Sequence, residues 1–429
     1  MQRLRCLISM DLLRNGRPRV VITGMGAVTA LGNVKSLWEG LKAGKSGIRN
    51  IETIPSEHII IKYGGEVRDF DPSEYIEHKE ARRMGRSTQF AVAAAAEALK
   101  DAGLTAEMIE SEGERSGTVI GTALGPHEMA EHATFKYKTS GFRRPNPLGL
   151  IQSLPNMPSH HVSRFFRTLG PLNSPANACA SGTQSVGEGA ELIRNGRADL
   201  IISGGVEAIF QDYTLAGFEA MDALVKGFED DPGKASMPFD KNRSGFVLSE
   251  GGAIFVLESM SHALKRGARI YAEVLGHASS SDAYHVAALD PEGRGAHRSM
   301  KWAVEDAHIN LDEIGYINAH GSSTPQNDAM ETLAIKKLFG ENAYNIPISS
   351  TKSMLGHALG GSGAIELVAC VMSLIDQVLH PTINYVTPDP DCDLDYVPNI
   401  ARQVKNLKYV LSNSFGLGGQ NASIVVGTV

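Results

Sequence analysis

The 429-residue chain is short of cysteine, aromatics and charge of one sign, and each shortage excludes a class of protein. Its four cysteines, Cys6, Cys179, Cys370 and Cys392, are widely separated with no CxxC spacing. Neither a disulfide framework nor a zinc knuckle is expected, and a reducing compartment is. Lys and Arg number 41 against 48 Asp and Glu, a formal charge of -7, so the chain has no global basic field for nucleic acid or an anionic membrane. An acidic partner must therefore meet a local patch. Long uncharged apolar runs are missing too: the most apolar helix-like stretch, Ala364 to Leu379, is interrupted by Glu366 and Asp376, so no membrane span is expected. The Arg-rich residues 1–18 include Asp11 and little Ser, with an apolar run too short for a signal peptide. They read as a lead-in to a cytoplasmic protein, an organelle transit remnant and an organellar matrix being the alternative.

What the chain does have is glycine, 45 residues of it, set among 42% hydrophobic residues. Short apolar runs closed by glycine recur at Arg19 to Gly24, Ser116 to Gly121, Asp199 to Gly204 and Gly252 to Leu257, and read as buried strands. Between them lie helix-like stretches such as Gln89 to Ala102 and Ser185 to Asn195, the latter stopped by Gly196. This alternation predicts an α/β protein with largely parallel, doubly covered sheets. Ala98-Leu-Lys-Asp-Ala102-Gly-Leu104, with Ile109 beyond, also lines up with Ala303-Val-Glu-Asp-Ala307-His-Ile309 and Ile314, each segment preceding an apolar strand. The match predicts two similar halves meeting near residues 268–273, with active residues drawn from both.

Two glycine patterns resemble nucleotide loops and fail as such. Gly24-Met-Gly26 follows a strand, but Thr29 stands where a third glycine is needed, so a tight turn is expected. Gly40-Leu-Lys-Ala-Gly44-Lys-Ser46 has one residue too few between its glycines for a phosphate loop.

Other segments carry chemistry. Cys179 lies among small residues, Asn173-Ser-Pro-Ala-Asn-Ala-Cys-Ala-Ser-Gly182, just before a helix. Helix N-terminal N–H groups stabilise a thiolate and can depress its pKa, and small neighbours leave room for a substrate. The plainer alternative, a buried structural thiol, is retained for Cys6, Cys370 and Cys392. His320 closes an apolar strand and opens Gly321-Ser-Ser-Thr324-Pro325; His357 and Lys352 share Ser349-Ser-Thr-Lys-Ser-Met-Leu-Gly-His357, ahead of an apolar helix. For the histidines the alternative is a satisfied core imidazole, and for Lys352 a solvated charge. The glycine loop Ser412-Asn-Ser-Phe415-Gly-Leu417-Gly-Gly-Gln-Asn421 can offer backbone N–H groups to an anion. No metal-ligand cluster is evident.

Taken together and in this order, Cys-Ala-Ser-Gly, Asn-Ala-His-Gly-x-Ser-Thr-Pro, Ser-Thr-Lys-Ser-x-x-Gly-His and Asn-Ser-Phe-Gly-x-Gly-Gly resemble the elongating type II β-ketoacyl-acyl carrier protein (ACP) synthases of the thiolase superfamily. Pro238-Phe-Asp-Lys-Asn-Arg-Ser-Gly-Phe-Val and Ser280-Ser-Asp-Ala-Tyr-His285 add to the likeness, which runs from about Arg19 to Val426. The resemblance implies a homodimer with the thiolase fold: duplicated α/β halves in a five-layer α-β-α-β-α stack, with a lead-in over 1–18, an N-terminal ketosynthase half over 19–268 and a C-terminal half over 269–429. It implies an acyltransferase of fatty acid elongation, in which Cys179 takes an acyl chain from acyl-ACP and condenses it with malonyl-ACP, releasing CO2 and 3-ketoacyl-ACP. His320 and His357 would stabilise the enolate, Lys352 orient them with Glu366 as ion partner, and Phe415 support the site. The N–H groups of Cys179 and Leu417 would form the oxyanion hole, Ser322 and Thr324 would contact phosphopantetheine, and Ala123, Leu124 and Leu417 would wall the acyl pocket. Lys79, Arg82, Arg83, Arg143 and Arg144 match carrier-docking positions, the first three at helical spacing. No metal and no cofactor beyond the carrier's phosphopantetheine are implied.

The chain also departs from the family pattern. Leu417 stands where the family's gate usually has Phe, Gln420 and Ala287 where it has Thr, Ala123-Leu124 where it has Gly-Ile, and Asp222 where it tends to have Arg. Three other readings remain: the same chemistry in a polyketide or unusual-lipid pathway, a CoA-dependent thiolase, and a noncatalytic chain-length-factor partner. The glycine loop lacks a thiolase's second cysteine, and Cys179 with two histidines argues against a noncatalytic partner.

Overall fold

A computed structural model describes residues 12–52, 58–143 and 145–429. The first half runs β1 (Val20–Thr29), α1 (Arg86–Ala102), β2 (Ser116–Gly121), α2 (Met157–Phe166), β3 (Leu172–Asn173), α3 (Ser181–Arg194), β4 (Leu200–Glu207) and β5 (Gly251–Ser259). The second repeats the order with β6 (Ala272–Ser281), α4 (Arg294–Ala307), β7 (Ile314–Asn318), α5 (Pro325–Phe339), β8 (Ile348–Ser349), α6 (Ser362–Asp376), β9 (Tyr409–Gly416) and β10 (Gln420–Gly427). Outward from the centre the strands pair as β1-β5-β4-β2-β3 and as β6-β10-β9-β7-β8, the same order twice. The halves join where Val20–Ile22 pairs antiparallel with Ala272–Val274.

Helix α1 packs on β1, β4 and β5, with α2 beside it; α4 packs on β6 and β10, with α5 beside it. Helices α3 and α6 touch strands of both halves and form the layer between them, completing the five-layer thiolase stack. The helical segment Leu359–Asp376 is apolar and long enough to span a bilayer, yet it is this middle layer, buried between the sheets.

The duplication is visible at single residues. Gly103 and His308 both end their helices in the left-handed conformation. A Cβ on Gly24 of β1 would lie 2.2 Å from the Ala98 carbonyl, and one on Gly276 of β6 would lie 2.3 Å from the Ala303 carbonyl. Ala98 and Ala303 are the residues that align in the repeat. The alignment stops there, because Ile314 opens β7 whereas Ile109 lies in the extra helical turn Ala106–Ser111 ahead of β2.

Two expectations are corrected. Gly24 and Gly26 are not a turn: both lie inside β1, where they let α1 approach the strand closely. The sheets are also mixed rather than largely parallel. β4 and β9 each lead into an antiparallel neighbour, β5 and β10, the first through a long connection that includes the helix Asp212–Ala220 and the second through a short turn, so only the outer pairs are parallel.

Candidate active site

Cys179 sits in the tight turn Ala178–Ala180 that leads into α3, and its counterpart Leu359–Gly361 leads into α6. Ala178 (φ 48) and Leu359 (φ 39) both hold the left-handed backbone that non-glycine residues avoid, at a cost of about 1–3 kcal/mol each. The two turns pack through glycine: a Cβ on Gly182 would lie 2.7 Å from the Gly360 carbonyl. Each half thus presents a helix N-terminus to the same spot.

The Cys179 side chain is 4% exposed. Burial pushes the thiol up to about 11, opposed by the Leu417 N–H, the Lys352 ammonium and the Cys179 N–H, while Glu207 adds to the rise. The expected depression is therefore overturned: desolvation exceeds what the surrounding donors give back, and the resting group is a thiol. The N–H groups of Leu417 and Cys179 both favour the charged sulfur.

His320 follows β7 and His357 precedes the turn into α6; their rings stand 5.2 Å apart at 81°. Burial and the Lys352 charge hold both imidazoles well below 6.5, so both are neutral, His320 being lowered further by His357. The Ser362 hydroxyl accepts the Ala358 N–H at 2.9 Å and lies 2.9 Å from His357 Nδ1. If its own proton goes to Nδ1, Nε2 carries the remaining N–H. The Phe246 ring lies edge-on to His357 at 5.5 Å, and Phe415 tilts against His320 at 6.0 Å.

Lys352 begins a helical turn after β8 and pairs with Glu366 of α6, both side chains 2% exposed. Burial raises the Glu366 carboxyl to about 7 against the pull of Lys352. Next to the histidines, the Ser322 and Thr324 hydroxyls lie 3.0 Å apart. Thr324 caps α5 and, with Leu417, Phe246, Ala287, Asp222 and Lys336, lines an open cleft of about 810 Å³.

Of the expected site residues only Thr324 and Leu417 line this cleft; Cys179, His320, His357, Lys352 and Ser322 are buried off its walls. Ala123 packs on the hydrophobic cluster that contains Cys179, whereas Leu124 is 38% exposed and neither lines the cleft with Leu417. Lys79, Arg82 and Arg83 are exposed, but the helix His78–Ala81 ends before Arg82 and Arg83, so the basic face is a turn and not a continuous helix. Arg143 is exposed, and Arg144 lies outside the described residues, as does Cys6. Asp222, on the cleft rim, pairs with Lys226 at 2.6 Å.

Residues 17–263 match the β-ketoacyl synthase N-terminal domain and residues 271–386 its C-terminal domain. The chain belongs to the β-ketoacyl synthase family. Within it, the chain is 44% identical to 3-oxoacyl-[acyl-carrier-protein] synthase 2 of Synechocystis over 409 residues, 95% of this chain and 97% of that protein. It is also 44% identical to the enzyme of the same name from Staphylococcus aureus over 408 residues, again 95% and 97% of the two chains. Among solved structures, a β-ketoacyl synthase from Burkholderia phymatum superposes with a TM-score of 0.87 at 36% identity, covering 96% of this chain and all (100%) of that one. A type II polyketide ketosynthase in complex with its acyl-carrier protein, bound to the hexaketide, matches with the same TM-score of 0.87, identity of 36% and coverage of 96% and 100%.

Two β-ketoacyl synthase residues escaped the sequence reading. Glu331 of α5 accepts the N–H groups of His320 at 2.9 Å and Gly321 at 2.8 Å, anchoring the backbone that carries His320. Glu207 ends β4, buried beside Cys179's turn. Its signal was available: it is the only charge in the strand Leu-Ile-Ile-Ser-Gly-Gly-Val-Glu.

Proposed function

We propose that this chain catalyses the decarboxylating condensation that elongates acyl chains in fatty acid synthesis, acyl-Cys179 plus malonyl-ACP giving 3-ketoacyl-ACP and CO2. The observation that carries the reading is the histidine pair, with rings 5.2 Å apart, beside a buried Lys352–Glu366 ion pair whose ammonium acts on Cys179, His320 and His357 alike.

In the first half-reaction the Cys179 sulfur attacks the acyl-ACP thioester carbon, and its proton leaves on the departing phosphopantetheine thiol. The N–H groups of Cys179 and Leu417 hold the tetrahedral oxyanion; removing one such donor typically costs ~10²–10³ in rate. In the second, malonyl-ACP loses CO2, and the charge moves onto its thioester oxygen. His320 and His357 each donate an N–H to that oxygen, which neutral imidazoles do without giving up a proton. The enolate carbon then attacks the acyl carbonyl, and the sulfur of Cys179 leaves and takes up a proton. Burial, reinforced by the Lys352 charge, keeps both imidazoles neutral, with Glu366 balancing Lys352. Ser322 and Thr324 contact the phosphopantetheine arm, and Phe415 backs His320. No metal or separate cofactor enters these steps.

The acidic carrier docks on Lys79, Arg82, Arg83, Arg143 and Arg144, with the Asp222–Lys226 pair at the rim tuning its choice. The protein works as a homodimer in the cytoplasm. The edge strand β3, with Leu172 51% exposed, is open to a second copy. The divergent gate residue Leu417, 36% exposed, favours a second reading in which the same chemistry serves a polyketide or unusual-lipid pathway. The test is Cys179→Ser: acyl transfer from acyl-ACP is lost, while malonyl-ACP decarboxylation persists and falls only with His320→Ala or His357→Ala. Stoichiometric acylation of Cys179→Ser at another residue refutes the assignment.

A further inference from the structure

The turn that carries Cys179 and its counterpart in the other half are built alike but braced differently. In both, a serine at the start of the following helix takes an N–H of the turn: Ser181 Oγ accepts the Asn177 N–H at 2.8 Å, and Ser362 Oγ accepts the Ala358 N–H at 2.9 Å. The Ser181 hydroxyl donates in turn to the Ala178 carbonyl at 2.7 Å. Of the two turns, the one with Cys179 has a second brace. Asn177 Nδ2 donates to Gln184 Oε1 at 2.6 Å, Gln184 Nε2 donates to one Glu188 oxygen at 2.7 Å, and Asn173 Nδ2 of β3 donates to the other at 3.0 Å. At the equivalent places the second half has Ala358, Ile365 and Ala369, whose side chains can make none of these bonds. The brace also has one direction. An ionised carboxylate only accepts, so Glu188 obliges Gln184 and Asn173 to face it with their NH2 groups. Asn173 agrees independently, because its Oδ1 already accepts the Ser174 N–H at 2.8 Å. Gln184, one helical turn before Glu188 on the same face of α3, is left with its carbonyl toward Asn177.

We propose that Gln184 is a positioning residue for acyl transfer: directed by Glu188, it holds Asn177 and so fixes the left-handed Ala178 and the Cys179 that follows it. This rests on the reading of Cys179 as the acylated residue. Leu359 takes the equivalent left-handed conformation without such a brace, so forming the turn is not what the brace is for. What distinguishes the first turn is that its middle residue reacts. Cys179 passes from thiol to thioester and back, each time through a tetrahedral oxyanion that needs the Cys179 N–H in place, whereas Gly360 at the equivalent position undergoes no change. Misplacing a reacting group by about 1 Å can cost ~10² in rate, so a turn that reacts gains from bonds that a passive one does without. Gln184, Glu188 and Asn173 do not line the cleft beside Thr324 and Leu417, so the brace acts on the nucleophile without touching the path of the pantetheine arm.

The experiment compares the wild-type protein with Gln184→Ala, Asn177→Ala and the double variant. Asn177→Ala gives the first turn the residue that the second already has at Ala358, so it keeps a turn of known geometry. Three quantities are measured on each protein: kcat for acyl transfer from acyl-ACP to Cys179, KM for acyl-ACP, and the rate of malonyl-ACP decarboxylation without an acyl donor. Each single variant is expected to lower kcat for acyl transfer about tenfold, with KM and decarboxylation held within about twofold. The double variant is expected to lose no more than the worse single one, because both substitutions cut the same link. An unchanged kcat overturns the proposal. So does an equal fall in decarboxylation, which makes Gln184 a strut of the fold, and so do losses that multiply in the double variant. If Gln184→Ala does not fold, the split between acyl transfer and decarboxylation in Asn177→Ala decides in the same way. No acyl adduct on Cys179 of the wild-type protein with any acyl-ACP refutes the underlying reading, and the proposal with it.

Discussion

Replacing Lys352 by methionine removes one charge from a buried pair and leaves Glu366 alone in the central layer. Breaking such a pair typically costs about 3–5 kcal/mol, and here the cost depends on pH in a way the structure specifies. Glu366 is raised to about 7 in the folded protein, above its unfolded value near 4.5, even with Lys352 beside it. For a carboxyl raised on folding, the unfolded state releases its proton first, so stability falls as pH rises from the unfolded value to the folded one. In the wild-type protein this loss stops near pH 7. Without Lys352 the folded value climbs further, so the deficit of Lys352→Met relative to wild type grows above pH 7 by about 1.4 kcal/mol per pH unit. Urea unfolding at pH 6, 7, 8 and 8.5 measures the divergence, and Lys352→Met/Glu366→Gln is expected to abolish it and recover part of the stability. Burial, reinforced by the same charge, holds both imidazoles low. Malonyl-ACP decarboxylation by the wild-type protein should therefore show no acid limb near 6.5, and in Lys352→Met, where only burial remains, the acid limb should move to higher pH. Parallel stability curves for variant and wild type, together with an unmoved acid limb, would refute the reasoning.

Leu417→Phe is expected to sharpen discrimination against bulky or branched acyl groups; unchanged relative kcat/KM on short, long and cyclic acyl-ACPs contradicts a gating role at this position. Charge reversal at Arg82 and Arg143 should raise KM for acyl-ACP in a salt-dependent manner while sparing transfer from small acyl-pantetheine mimics. Equal loss on both substrates would move the docking site elsewhere. Gly26→Ala puts a Cβ 2.0 Å from the Ala94 carbonyl of α1 and should destabilise by at least about 1–3 kcal/mol in thermal unfolding. Gly217→Ala meets no atom within 4 Å on its helix and should stabilise by about 0.5–1 kcal/mol.

Much of the architecture was legible because it is written in local patterns. Apolar runs bounded by glycine marked β2, β4 and β5, and the Ala98–Ala102 and Ala303–Ala307 match survives in the structure as two equivalent helix-on-glycine contacts. Cys179, His320, Lys352 and His357 stand out locally because each sits where a strand end or turn meets a helix, and the resemblance of their motifs to a known family is what joined them into one site. What was hidden depends on contacts between distant segments. Gly24 and Gly26 look like a turn in one dimension and are explained only by the carbonyls of α1. The antiparallel entry of β5 and β10 depends on connections that carry no period. A helix N-terminus suggested an acidic thiol, but the depth of burial, which no neighbouring residue discloses, pushes Cys179 the other way. Glu207 and Glu331 act through backbone N–H groups contributed by other elements, so neither has a sequence partner at a recognisable spacing.

The central claim is that one sulfur holds the acyl chain that malonyl-ACP then extends, and intact-protein mass spectrometry tests it most directly. The wild-type protein is incubated with acyl-ACP; one portion is digested to locate the adduct, and malonyl-ACP is added to the undigested remainder. The account predicts a single acyl adduct on the peptide containing Cys179, discharged on addition of malonyl-ACP with release of CO2 and formation of a 3-ketoacyl-ACP two carbons longer than the acyl donor. An adduct on any other residue, or an acyl-Cys179 that malonyl-ACP leaves intact, contradicts it.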